Sequence, residues 1–226
     1  MTIKKKLGVP VKFKKAKLPS KKIFRGLYVA LEPINISKHS KDLYNNFLRD
    51  KKNIIWKYLP YGPFKSYGSF KKWLKSFCLN KDPFFYAIYS KRYRQYCGMA
   101  SYLRITPEHG SIEVGHINYS PILQNTVEGT EAMYLMMKNT FEVSGNRRYE
   151  WKCNNLNSAS KKAAKRLGFK FEGVFRQMFI FKGRNRDSAW FSIIDKEWKK
   201  LKNSYMRYLK PSNFDKNYKQ LTKLKI

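Results

Sequence analysis

The pattern of apolar and polar positions is clearest between Ser111 and Phe169. Ile112, Val114, Ile117 and Tyr119 place β-branched and aromatic residues in a strand that Ser120-Pro121 ends. A short turn, LQNTVEG, leads into TEAMYLMMKNTF, where Met133, Met136, Met137 and Phe141 recur at helical spacings. A strand that turns sharply into a buried helix leaves backbone N–H groups free at the helix start, and such a start attracts anions, phosphates above all. A second strand, YEWKC, follows. Asn157-Ser158-Ala159-Ser160 then opens a second helix that stacks Ala159, Ala163 and Leu167 on one face and closes on Gly168.

The same reading extends outward. Leu27–Ile34 is a first strand that stops at Pro33, and Ser37 starts a helix with Leu43, Tyr44, Phe47 and Leu48 on its apolar face. Residues 51–67 hold too many Pro and Gly residues for a long helix. Their aromatics, Trp56, Tyr58, Tyr61 and Phe64, line a cleft or pack beneath a loop. Ser69–Leu79 is amphipathic through Phe70, Trp73, Leu74 and Phe77, a pattern for a core helix or a membrane-surface segment. Asp82-Pro83 breaks it. Phe84–Ser90, Tyr96–Ile105 and the 111–119 strand form an antiparallel meander. Phe171–Lys182 is a strand with Phe171, Phe175, Phe179 and Phe181, Gly183-Arg184-Asn185 is its hairpin turn, and Ala189–Ile194 is the last strand. Asp195 caps a short helix carrying Trp198 and Leu201. This order predicts an α/β (α+β) fold: a mixed, mainly antiparallel twisted sheet flanked by helices. Residues 1–22 read as a flexible basic arm, 23–201 as the folded domain and 202–226 as a basic tail.

Composition changes this picture in one respect. Across 226 residues, 42% hydrophobic and 16% aromatic content is enough for a sizeable core. No apolar run reaches membrane length, and the basic N-terminus lacks the apolar centre of a secretion signal. Cys78, Cys97 and Cys153 lack metal-ligand spacing, so reduced thiols in a cytoplasmic compartment, and no metal, are expected. The net charge of +33 is the outlier. It reflects a polyanionic partner, nucleic acid or a membrane surface, or the lysine-rich coding bias of an AT-rich genome. Lysines spread along the whole chain, which favours bias. Either origin produces a positive field that attracts anions.

Two motifs carry a resemblance. The turn Gln124-Asn125-Thr126-Val127-Glu128-Gly129, followed by Thr130-Glu131-Ala132, resembles the Gln/Arg-x-x-Gly-x-Gly/Ala turn of the GNAT superfamily of acetyl-CoA-dependent N-acetyltransferases. Asn157-x-x-Ser160, before a helix ending in Leu167-Gly168-Phe169, resembles that family's second mark. The branch most similar contains the ribosomal-protein N-terminal acetyltransferases, and the resemblance spans roughly Leu27 to Trp198. Val127 departs from the family pattern, where glycine is usual, and is tolerated if its side chain turns from the pyrophosphate. The resemblance implies acetyl-CoA as co-substrate and an amine acceptor (a protein N-terminus, a lysine or a small amine) in a monomer or homodimer. The alternative is a catalytically weak protein of the same fold acting as a basic nucleic-acid-binding module.

Acetyl transfer from a thioester requires a held pyrophosphate, a deprotonated amine, a stabilised carbonyl oxygen and a protonated leaving thiolate. The turn and its backbone amides assign Gln124, Thr126, Val127, Glu128, Gly129 and Thr130 to the cofactor, with the side chains of Glu128 and Glu131 pointing away. By resemblance Glu113 is the base, against the alternative of a salt bridge to a lysine. Strand alternation places His116 on the opposite face from Glu113, and Glu150 is a third candidate. Asn157 resembles the residue that holds the pantetheine arm and also suits an N-cap. Ser160 resembles the group that meets the thiol, or is a plain helix-start serine. The backbone N–H groups of Asn118, Tyr119 and Ser120 are expected to polarise the carbonyl. Cys153 reads as a buried thiol.

Overall fold

The computed structural model describes residues 8–226. In chain order the elements are β1 (Phe24–Arg25), β2 (Val29–Pro33), α1 (Ile36–Phe47), α2 (Tyr67–Phe77), β3 (Phe84–Ser90), β4 (Gln95–Thr106), β5 (Ser111–Tyr119), α3 (Val127–Lys138), β6 (Arg148–Asn154), α4 (Ser158–Arg166), β7 (Lys170–Phe181), β8 (Arg184–Ile194) and α5 (Asp195–Tyr208). One sheet runs in the order β1-β2-β3-β4-β5-β6-β8-β7. Every neighbouring pair is antiparallel except β5 and β6. Strand alternation sends Tyr86, Tyr102, Val114 and Tyr149 to the face covered by α3 and α5. It sends Phe85, Ala87 and Met99 to the face covered by α1 and α2. No helix is long and apolar enough to cross a membrane among the described residues.

Several boundaries differ from the sequence reading, each for a local reason. Asn35 caps α1, accepting from the Lys38 amide at 3.0 Å and from the Ser37 hydroxyl at 2.8 Å, so Ser37 supports the cap instead of forming it. Ser66 caps α2 and forms a reciprocal box with Ser69. The β7–β8 turn is Lys182-Gly183, with φ of 53° and 71°, the two left-handed positions of a tight hairpin. β8 therefore starts at Arg184, where the sequence reading placed the turn.

The expected arm and tail also change. The helix starting at Asp195 is 14 residues long and carries Tyr205 and Tyr208 into the core. Tyr205 stacks on Tyr134 of α3 with ring centroids 5.2 Å apart. The body thus extends past 201, because aromatic spacing continues the buried face of α5 among its lysines. At the other end, the arm call for residues 1–7 lies outside the described residues. Beyond them, the Ala16 amide donates to Pro107 at 3.1 Å and the Lys17 amide to Ser144 at 2.7 Å. Phe13 packs over Gly110, where φ is +62° and a Cβ would run into its ring. The Tyr86 hydroxyl donates to the Ser20 carbonyl at 3.0 Å. This segment is docked on the sheet.

Glu131 ties α3 to the sheet edge. Its carboxylate accepts from the amides of Leu27 (2.7 Å), Tyr28 (2.7 Å) and Val29 (2.9 Å). Gly26 leaves room for it. Burial raises its pKa, and the three amides oppose that. Removing the acceptor strands donors that water reaches poorly. Glu131→Ala is expected to cost about 3 kcal/mol in urea unfolding. A loss within about 0.5 kcal/mol, the range of ordinary surface substitutions, would show that these amides are satisfied without it.

Candidate active site

β5 and β6 pair only over Ser111–Val114 and Arg148–Trp151. Past Val114 and Trp151 the strands part, leaving a wedge between Gly115–Tyr119 and Lys152–Asn154. The β4–β5 register slips at the same level, since Met99 faces Asn118 while Ser101 faces Gly115. The extra residue in β5 is a bulge in which His116 takes φ +49°. The bulge breaks the alternation that the sequence reading relied on. Instead of lying opposite Glu113, the His116 ring lies on the same face, against Tyr61, Phe77 and Phe85.

The start of α3 closes one side of the wedge. Thr126 caps the helix, accepting from the Gly129 amide at 3.1 Å and donating to the Leu123 carbonyl at 2.7 Å. The Thr130 amide returns to the Thr126 carbonyl at 3.2 Å. Among the described residues, the amides of Asn125, Thr126, Val127 and Glu128 have no partner. The Val127 side chain turns into the core. Gly129 has no room for a side chain, since a Cβ would stand 2.8 Å from the Leu123 carbonyl and 3.0 Å from the Tyr119 ring. Gln124 donates to the Tyr119 carbonyl at 2.9 Å, fixing the turn. The side chains of Glu128 and Glu131 are both buried, and that of Glu131 points away from the turn, to the amides of Leu27, Tyr28 and Val29. Glu128 is buried with no hydrogen bond to either oxygen.

The three amides expected to polarise a carbonyl divide. Ser120 donates its amide to Cys97 at 3.1 Å. Alternation in the antiparallel ladder commits the Asn118 amide to β4 as well and turns that of Tyr119 toward the wedge. The Asn118 side chain is buried with both its oxygen and nitrogen unpartnered, as is the Ser120 hydroxyl.

α4 closes the other side. Asn157 caps it, accepting from the Ser160 amide at 3.1 Å. The Ser160 oxygen accepts from the Trp151 indole at 2.9 Å, so its own hydrogen is the part that donates, with the Cys153 thiol as one acceptor beside it. Burial raises the pKa of Cys153, against the pull of Ser160, Arg186 and Lys161.

Glu113 sits in a buried ionic cluster. It accepts from Arg104 Nε at 2.7 Å and Nη2 at 3.2 Å, and from Lys152 Nζ at 3.0 Å. Lys152 reaches Glu150 at 2.8 Å and lies 3.6 Å above the Trp190 ring centroid. Arg148 joins Glu150 at 2.6 Å to Glu172. Both Glu113 oxygens are thus held by cations, a geometry that suits a frame. His116 is different. Its Nδ1 is 3.0 Å from the Tyr61 hydroxyl. Burial, with the charges of Arg104 and Arg186, lowers its pKa to about 4, so the imidazole is neutral at pH 7. Above it, Lys182 donates to the carbonyls of Trp56 (3.1 Å) and Gly62 (3.2 Å), and Tyr58 donates to Leu156 (3.2 Å). The 51–66 loop thereby bridges the β7–β8 hairpin and the β6–α4 connection. Sequence reasoning missed Arg104, Lys152 and Arg186, since nothing distinguishes them among 48 basic residues.

Residues 29–170 match the family described as acetyltransferase (GNAT) domain. Among solved structures, a GCN5-related N-acetyltransferase from Brucella melitensis is 40% identical, with a TM-score of 0.91 over 94% of this chain and 96% of its own. A probable acetyltransferase of the GNAT family from Chromobacterium violaceum is 37% identical, with a TM-score of 0.79 over 88% of this chain and 99% of its own. RimL, a ribosomal L7/L12 alpha-N-protein acetyltransferase solved with coenzyme A, shares the fold at 20% identity, with a TM-score of 0.65 over 77% of this chain and 99% of its own. No curated protein matches. With a parted parallel strand pair between two capped helices, and a family match over most of its length, this chain belongs to the GNAT acetyltransferases.

Proposed function

We propose that this protein transfers the acetyl group of acetyl-CoA to an amine by direct attack of the amine on the thioester. The observation that carries this reading is the wedge between β5 and β6, which opens beside the uncommitted amides at the start of α3. The residues present fit acetyl-CoA. Four free amides at a helix N-terminus suit a pyrophosphate. The orphaned Asn118 side chain and Ser120 hydroxyl offer buried polar partners near the wedge. Bound there, acetyl-CoA supplies an activated acyl group.

The chain's own residues do the rest. Gln124 and Thr126 hold the turn, and Val127, Glu128, Gly129 and Thr130 contribute backbone and shape. The Tyr119 amide donates to the carbonyl oxygen as it gains charge. Ser160 turns its hydroxyl hydrogen to the leaving sulfur, and Asn157 fixes the first turn of α4. The positive field lowers the pKa of the incoming amine by repulsion. His116, neutral and inside the acceptor face, takes the proton of the attacking nitrogen as that nitrogen bonds to the carbonyl carbon and its N–H turns acidic. Glu113 positions Arg104 and Lys152 and takes no proton itself. No observation favours a nucleic-acid module over this reading.

Calorimetry with acetyl-CoA, paired with thiol release in the presence of amines, tests the proposal. Absence of binding at millimolar acetyl-CoA would end it. Gly129→Ala is expected to push the turn away from Leu123 and Tyr119 and weaken acetyl-CoA binding by about 10-fold or more, the scale of a lost charged hydrogen bond. Val127→Gly should leave binding within about threefold, because the valine already faces the core. Equal loss in both variants would detach the turn's geometry from the cofactor.

A further inference from the structure

We infer that the acceptor is an amine carrying an anionic group, and that Arg186 binds that group. This rests on the acetyltransferase reading and deepens it to a substrate class. Four cations and three carboxylates meet on the acceptor face of β4, β5, β6, β7 and β8. Glu113 takes Arg104 and Lys152, Glu150 takes Lys152 and Arg148, and Glu172 takes Arg148. Arg186 is the one left over. It pairs with no carboxylate among the described residues, and its Nε is buried without a hydrogen-bond partner.

Arg186 is nevertheless held in place. Its guanidinium lies 4.4 Å from the Phe181 ring centroid and 5.6 Å from that of Phe179. Arg104 flanks the same Phe179 ring at 5.9 Å. Register puts Arg186 on the face that carries Glu113 and Lys152, two residues from Ser188, which stands opposite Asn154 of the wedge, and four from Trp190, whose ring lies under Lys152. Cys153, beside Ser160, also feels Arg186, which puts the guanidinium within electrostatic reach of the transfer site. A half-buried cation without a counter-ion is costly, and a bound anion removes that cost. Chemistry on the other side agrees. A bare ammonium entering this face meets net positive charge and is repelled. An ammonium bearing a carboxylate or phosphate is held by its anionic end while repulsion favours loss of the ammonium proton.

The test uses matched acceptors with the full chain and acetyl-CoA. One arm compares β-alanine with β-alaninamide, the other phosphoethanolamine with ethanolamine, so carboxylate and phosphate are separated. The expected result is a kcat/KM about 10–100-fold higher for the anionic member in at least one arm, the scale of a charged hydrogen-bonded pair. Arg186→Gln should erase the preference, and Arg186→Lys should keep part of it. Calorimetry of each anionic member against protein saturated with acetyl-CoA gives an independent reading. Equal use of charged and neutral members, preference surviving in Arg186→Gln, or no binding and no turnover of either anionic member would each overturn the inference. Acetyl-CoA binding measured alongside distinguishes this from failure of the acetyltransferase reading.

Discussion

Lys152→Met is expected to lower unfolding stability by about 3–5 kcal/mol, the usual cost of removing one partner from a buried ion pair. The Lys152 side chain is 4% exposed, and its two carboxylate partners, Glu113 and Glu150, are 3% and 11% exposed. Those carboxylates stand directly opposite each other across the parallel strands. Without the ammonium between them, two like charges face each other in a medium that screens poorly. Acid should give the signature. Burial opposes ionisation of Glu150, but hydrogen bonds from Lys152 and Arg148 outweigh it and hold its pKa below 4.5. A carboxylate with a depressed folded-state pKa contributes stability above its unfolded pKa, lost as pH falls through the folded value. The wild type should therefore weaken below about pH 4.5, and the variant should show a shallower acid limb. Urea titrations across pH measure both. A loss under about 1 kcal/mol, no larger than an exposed pair, would mean that solvent reaches the cluster.

Replacing His116 should act on rate. His116→Gln is expected to lower kcat by about 10²-fold or more, as loss of a general base does. The KM for acetyl-CoA should stay close to that of the wild type, because the ring faces Tyr61, Phe77 and Phe85 on the acceptor side. A second readout separates chemistry from packing. The folded-state pKa, about 4, lies below the unfolded value of 6.5, so protons favour the unfolded chain. Wild-type stability should fall as pH drops from 6.5 toward 4, and that decline should be smaller in His116→Gln. An unchanged kcat with the altered stability profile would leave His116 as a packed residue and return the base to Glu113.

What was legible in advance follows from the range of the forces involved. β5, α3, β6 and α4 could be read because their signals are local: period-two alternation, helical spacing, a capping asparagine and a closing glycine. The turn from Gln124 to Gly129 could be read for the same reason. The orientation of Val127 could not, since it depends on the core beneath the helix. The bulge at His116 did leave a local signal, since Gly115 stands beside it and an isolated glycine in a strand marks such a break, but the reading by alternation passed over it. Strict alternation then assigned the ring to the wrong face. The partners of Glu113 were hidden for a different reason. Arg104 and Lys152 meet it through strand register, which sequence spacing alone does not contain. The tail was misjudged because its lysines outnumber the aromatic residues that bury α5.

The docking of Phe13, Ala16 and Lys17 alters how the basic N-terminal segment can be studied. Truncation is the usual way to ask whether a lysine-rich stretch matters for attraction to polyanions. Here the same cut would uncover Gly110, free the Pro107 and Ser144 carbonyls and strip a cover from the sheet. A shortened protein would lose charge and packing together, and a weakened phenotype could be assigned to neither. Neutralising Lys12 and Lys14 in place by glutamine, with Phe13, Ala16 and the Lys15–Glu108 pair kept, separates the two.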